Sequence, residues 1–128
     1  MSAPTFRKQE RIVSTKLIET LFEKGSSHSV AAFPLRAVYV EIERQAGCAQ
    51  VQVLISIPKK RFKHAVDRNR VKRQVREAYR HQKEILEGKV AEDRQLLIAF
   101  IWLSDKHYQT SEVEKRVVGL LERIAATA

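Results

Sequence analysis

Apolar residues recur along this chain in two rhythms. Leu17, Ile18, Leu21 and Phe22 recur at helical spacing, and so do Val113, Val117, Leu120, Leu121 and Ile124. Val51, Val53, Ile55 and Ile57 alternate with Gln52 and Ser56, the two-residue period of a half-buried strand. The pattern predicts a first helix over 15–24, with Ser14 as N-cap and Gly25 as stop. A short edge strand is expected over 27–33. Strands follow over 35–42, with Leu35, Ala37 and Tyr39 on one face, and over 51–57. The turn at 44–50 suggests that these two pair as a hairpin. A long helix is expected over 65–86, with Gly88 past its end. The apolar run 94–103, flanked by charge, has the mark of a central strand. A last helix is expected over 111–125, opened by a capping box of Ser111 and Glu114. Helix, two or three strands, helix, strand, helix is the order of a single α+β domain, a sheet packed on helices. Residues 1–10 read as a loose basic arm and 11–128 as the domain.

The long helix has two faces. At 100° per residue, Val71, Val75, Ala78, Tyr79, Ile85 and Leu86 share an arc of about 120°. Asn69, Lys72, Arg73, Arg76, Arg80 and Lys83 fill a neighbouring arc, so one side suits a sheet and the other is a row of cations. Arg70 lies off the row. Arg68 comes close to the apolar stripe. Both can reach around the helix start or pair with an acid such as Asp67 or Glu77.

Charge sharpens this picture. The chain carries 24 Lys and Arg against 15 Asp and Glu, a net charge of +9. Eleven of those cations and only two of the acids lie between Pro58 and Lys83, so this stretch alone sums to +9. Lys59, Lys60, Arg61 and Lys63 precede the helix; Arg68, Arg70, Lys72, Arg73, Arg76, Arg80 and Lys83 lie on it. A block of one sign repels itself unless a polyanion neutralises it. Arg presents a planar fork that matches phosphate oxygens, and Asn69 can donate to and accept from a ribose or a base edge. Nucleic acid is therefore the first partner expected.

Other chemistries find little footing. The four histidines, His28, His64, His81 and His107, lack metal-ligand spacing, so no metal is expected on the protein. There is no GxSxG, no Cys–His pair and no Gly-rich phosphate loop. Glu41 and Glu43 share a strand face and are expected to be solvated, and Trp102 is expected in the core. A single cysteine, Cys48, cannot close an internal disulfide and fits a reducing compartment. With no apolar run of signal-peptide or membrane-span length, a soluble cytoplasmic protein is expected, with no membrane partner.

The helix carries a more specific pattern. Residues 65–80, Ala-Val-Asp-Arg-Asn-Arg-Val-Lys-Arg-Gln-Val-Arg-Glu-Ala-Tyr-Arg, closely resemble the Arg-Asn-Arg signature of the bacterial ribonuclease P protein component. Val53–Lys60, VLISIPKK, is similar to the family strand that ends in Ser-Lys-Lys, with Pro58 in place of the serine and Leu54 where glycine is common. The Phe22-Glu23-Lys24-Gly25 end of the first helix is similar too, although Leu17-Ile18 stands where Asp-Phe is frequent, so an aliphatic Ile18 replaces an aromatic. The resemblance covers roughly 11–125.

That resemblance implies a protein subunit working with a large catalytic RNA. The RNA performs the cleavage with Mg²⁺ bound mainly by RNA and substrate, and the holoenzyme, an endoribonuclease, removes the 5′ leader of precursor tRNA. No catalytic residue is expected in the protein. Lys59, Lys60, Arg61, Lys63, Arg68, Asn69, Arg70, Lys72, Arg73, Arg76 and Arg80 would meet RNA. Phe22, Phe33 and Tyr39 would meet the leader in a cleft between the first helix and the sheet, where stacking on an aromatic tolerates any base. The implied fold is similar to the second domain of a small-subunit ribosomal protein, a four-stranded sheet with a left-handed βαβ crossover over 51–103; general rules alone favour the right-handed form. Two alternatives stand beside this one: a structural RNA-binding protein of ribosomal type without a role in cleavage, and a helix that reads a DNA major groove.

Overall fold

The computed structural model describes residues 10–12, 15–23, 27–45 and 49–127. In chain order they form α1 (Thr15–Leu21), β1 (His28–Ala32), β2 (Leu35–Glu43), β3 (Val51–Ser56), α2 (Ala65–Gln82) with a 3₁₀ turn at Lys83–Leu86, β4 (Arg94–Trp102) and α3 (Thr110–Thr127). The strands make one sheet in the order β1-β2-β4-β3, with β3 parallel to β4 and the other pairs antiparallel.

This order corrects the expected hairpin. β2 and β3 are not neighbours, because β4 lies between them. The reason lies in the apolar run itself. Leu96, Ile98, Phe100 and Trp102 are buried on one face of β4, and Leu97 and Ala99 on the other. A strand apolar on both faces is most stable where neighbouring strands and both layers cover it. β3, α2 and β4 thereby form a βαβ unit that carries α2 across the sheet.

Helices cover both faces unequally. α2 and α3 pack with Leu35, Ala37, Tyr39, Val53, Ile98, Phe100 and Trp102 in the larger core. α1 covers the opposite face, where Leu17 and Leu21 meet Val38, Val40, Leu97 and Ala99. Seven residues of α1 span only about 10 Å, too short to roof the whole sheet, so Leu54 and Ile101 on this face are only partly buried.

Element ends account for the remaining differences. Lys83–Leu86 tightens to a 3₁₀ turn that puts Leu86 in the core, and Gly88, at φ +75, follows it in the left-handed conformation. α3 starts at Thr110, and the amides of Glu112 and Val113 donate to the Gln109 carbonyl. Ser111 thus lies inside the helix and the expected capping box does not form; Glu114 instead accepts from Gln82 Nε2 at 3.0 Å. The expected N-cap Ser14, the stop at Gly25, Cys48 and the arm up to residue 9 lie outside the described residues.

Both sheet edges are engaged. Ile12 N donates to Val53 O at 3.1 Å along the outer edge of β3. At β1, Arg123 donates to Ala31 O at 2.6 Å, and Arg116 donates to the Phe33 carbonyl of the β1–β2 turn at 2.9 Å. Such partners satisfy carbonyls that an open edge would offer to another chain.

Candidate nucleic-acid interface

α2 buries Val71, Val75, Ala78 and Tyr79, as its periodicity predicts, and also Gln74. The glutamine is tolerated because its Nε2 donates to Tyr108 O at 3.0 Å and to Thr110 Oγ1 at 3.2 Å, tying α2 to the start of α3. On the other side Asn69, Arg70, Lys72 and Arg73 are exposed, and Arg76 and Arg80 half-buried. The core contact fixes the helix, and the helix fixes the spacing of its cations. Exposed Lys59, Lys60 and Lys63 extend this surface into the loop that enters α2. Arg61 is half-buried there, and its Nε is shielded without an acceptor among the described residues.

Not every cation of the motif faces outward. Arg68 turns back and donates through Nη1 to Phe62 O at 2.8 Å and Lys63 O at 3.2 Å. This is the reach around the helix start that its position suggested. Arg80 binds Glu77 Oε2 at 2.7 Å, and its Nη2 lies 2.9 Å from His81 Nε2. The Arg80 hydrogen bond holds the Glu77 carboxyl below its ordinary range, against the opposing pull of burial, with Arg80, His81 and Arg76 adding favourable charge. Lys83 binds Glu10 Oε1 at 2.6 Å, so the cationic row ends in a pair that pins residue 10 to the end of α2. Beneath it, burial, helped by the Glu10 charge, raises the Tyr79 hydroxyl far above its ordinary range.

Two grooves adjoin these cations. Arg11, Lys72 and Arg76 stand around a groove of about 180 Å³ floored by Ile12, Val53, Leu54 and Ile55. Cationic walls over an apolar floor can hold phosphate above and a base below. Arg11 was not among the expected site residues. Its bridge to β3 brings it beside α2, and nothing local in the sequence signals that pairing. The second groove, of about 200 Å³, lies at the end of α1 between Leu21, Phe22, His28, Ser29, Arg36 and Val38. Arg36 Nε donates to Ser29 Oγ across it at 2.8 Å.

The three aromatics expected in the leader cleft separate. Phe22 is 48% exposed and lines the second groove. Phe33 is 60% exposed in the β1–β2 turn, before a cis bond to Pro34. Tyr39 is corrected to a core residue. It is 6% exposed, lies on the sheet face turned to α2 and α3, and its hydroxyl is 2.8 Å from Thr127 Oγ1. The strand's alternation puts Val38 and Val40, not Tyr39, under α1. Trp102 is fully buried as expected, edge-on to Tyr108, and Glu41 and Glu43 are exposed. Among the described residues no three His, Cys, Asp or Glu side chains are grouped to hold a metal ion.

A family model described as ribonuclease P matches residues 6–125. The chain belongs to this family. The match includes residues 6–10, which read as part of the basic arm. The chain is similar to the ribonuclease P protein component of Porphyromonas gingivalis, 42% identical over 128 positions that span 97% of this chain and 90% of that protein. In structure it is similar to the ribonuclease P protein from Thermotoga maritima, with a TM-score of 0.67 at 20% identity over 89% of this chain and 96% of that one. The ribonuclease P protein of Staphylococcus aureus gives a TM-score of 0.66 at 21% identity, over 90% and 94% of the two chains. These structural likenesses carry the α+β fold, and the family rests on the sequence matches. Among the described residues no helix is long and apolar enough to cross a membrane.

Proposed function

We propose that this chain is the protein subunit of ribonuclease P, acting in the cytoplasm in tRNA 5′ maturation. α2 and the Lys59–Lys63 loop dock on the catalytic RNA. The α1 face of the sheet, with Phe22 at one end, receives the 5′ leader of precursor tRNA. The RNA subunit and substrate hold the Mg²⁺ and the RNA performs the hydrolysis; the protein contributes binding and charge. The observation that carries this reading is that Asn69, Lys72 and Arg73 of the row, with Arg70 beside it, are exposed on a helix whose apolar stripe is locked in the core. Such a surface is rigid before it meets its partner, so little ordering cost is left for binding.

Tolerance of many leaders fits the second groove. An exposed aromatic offers a face to any base, and the Arg36 guanidinium beside it offers charge to a phosphate. Titrating the chain against a ribonuclease P RNA over a range of salt tests the docking. Affinity should fall by roughly 10³–10⁵ between low and moderate salt if six to ten phosphates are neutralised. A nearly salt-independent affinity would contradict it.

A further inference from the structure

Beyond the Arg61 N–Pro58 O turn and the packing of Phe62 in the core, the basic loop between β3 and α2 is fastened at two points that run to the first turns of α2. At the first, Arg68 donates through one nitrogen to the carbonyls of Phe62 and Lys63, at 2.8 and 3.2 Å. At the second, the buried Phe62 ring stacks on His107, with centroids 4.7 Å apart and planes 20° from parallel. His107 Nε2 in turn lies 3.0 Å from Asp67 Oδ1. α2 itself gives the loop little guidance, since its N-cap, His64, makes no side-chain capping bond.

A loop bearing Lys59, Lys60, Arg61 and Lys63 repels itself and the cations of α2. Left alone it would spread, and ordering it would then cost affinity at the moment of binding. Hydrogen bonds from a charged donor to two successive carbonyls oppose that spreading. They also turn the Arg68 fork inward, whereas Asn69 and Arg70 beside it are exposed.

We propose that Arg68 is a positioning residue: with the Phe62–His107–Asp67 stack it clasps the Lys59–Lys63 loop onto α2, so that loop and helix meet RNA as one preformed cationic surface. This role rests on the RNA-binding function above, but the clasp is a property of the free protein and can be measured without RNA.

Two measurements on the full-length chain test it. The first is amide hydrogen exchange of the free protein. Arg68→Ala should exchange faster over residues 59–63 by on the order of tenfold, the worth of one charge-assisted bond. Arg68→Lys should resemble it, because an ammonium lacks the guanidinium's geometry. His107→Ala should loosen the same segment, and it carries the test if Arg68→Ala does not fold.

The second is affinity for a ribonuclease P RNA against salt. Arg73→Ala should lower the salt slope by about one unit. Arg68→Ala should lower it by more than one, because the loop lysines lose their placement. In a background with Lys59, Lys60 and Lys63 all changed to Ala, Arg68→Ala should have little further effect.

Unchanged exchange over 59–63 with a slope loss of about one would make Arg68 a phosphate ligand and overturn the clasp. Faster exchange with unchanged RNA affinity would overturn its positioning role while Arg73→Ala still reports the RNA face. If neither Arg73→Ala nor Arg68→Ala alters RNA binding, the RNA face fails and this role with it.

Discussion

Tyr39 and Phe22 are both aromatic and both precede a charged stretch, yet the fold sends them to opposite sides of the sheet. Tyr39→Phe should cost about 0.5–1.5 kcal/mol, the worth of its bond to Thr127, and Tyr39→Ala about 3–5 kcal/mol. Denaturant titration measures both, and neither change should discriminate precursor from mature tRNA. Phe22→Ala should leave stability nearly unchanged and weaken precursor tRNA binding by about 1–3 kcal/mol, with mature tRNA unaffected. Equal losses for both tRNAs would place the leader elsewhere. Glu77 gives a pH prediction. Its folded pKa lies below its unfolded value, so its contribution is present above the ordinary Glu range and is lost as pH falls through the folded value. The pair is partly exposed to solvent, and Glu77→Gln should cost only a few tenths of a kcal/mol at neutral pH and should flatten the acid limb of the stability curve slightly. At this scale the sequence named the aromatic candidates but could not assign them, because burial of an aromatic depends on which layer covers its strand face.

α2 is the element whose two faces were most legible, since core stripe and cation row follow from one 3.6-residue period. Arg73→Ala and Arg76→Ala should each reduce the salt slope of RNA binding by about one unit with the fold intact, because neither belongs to the buried stripe. An unchanged slope in a folded variant would mean that no phosphate is lost. What the period could not show is which cations are spent within the protein: Arg68 on loop carbonyls, Arg80 on Glu77, Lys83 on Glu10. Those partners lie in a loop, one turn away on the helix, and far away in sequence, and side-chain direction decides among them. Strand existence was equally legible, but strand partnership was not. The alternation in 35–42 and 51–57 is satisfied equally by a hairpin and by two strands on either side of β4. Only the need to cover both faces of 94–102 selects the second, and that is a property of the assembled sheet.

The whole molecule divides its work between layers. α2 and α3 on one face make the larger core and hold the cationic row from behind. The short α1 leaves part of the other face open beside Phe22. The family signature made the function legible in the sequence, and the local concentration of charge alone pointed to a polyanion. Arg11 stayed out of sight because pairing between the N-terminal segment and β3, distant in sequence, sets it beside α2. In the function proposed above, this protein assists an RNA that does the cutting. The most direct test is cleavage of precursor tRNA at low Mg²⁺ by a ribonuclease P RNA, by this protein, and by the two together. The mixture should release the 5′ leader, the RNA alone little or none at that Mg²⁺ concentration, and the protein alone none, since bound cations replace part of the metal screening. Cleavage by RNA-free protein, or a mixture no better than RNA alone at any Mg²⁺ concentration, would contradict it.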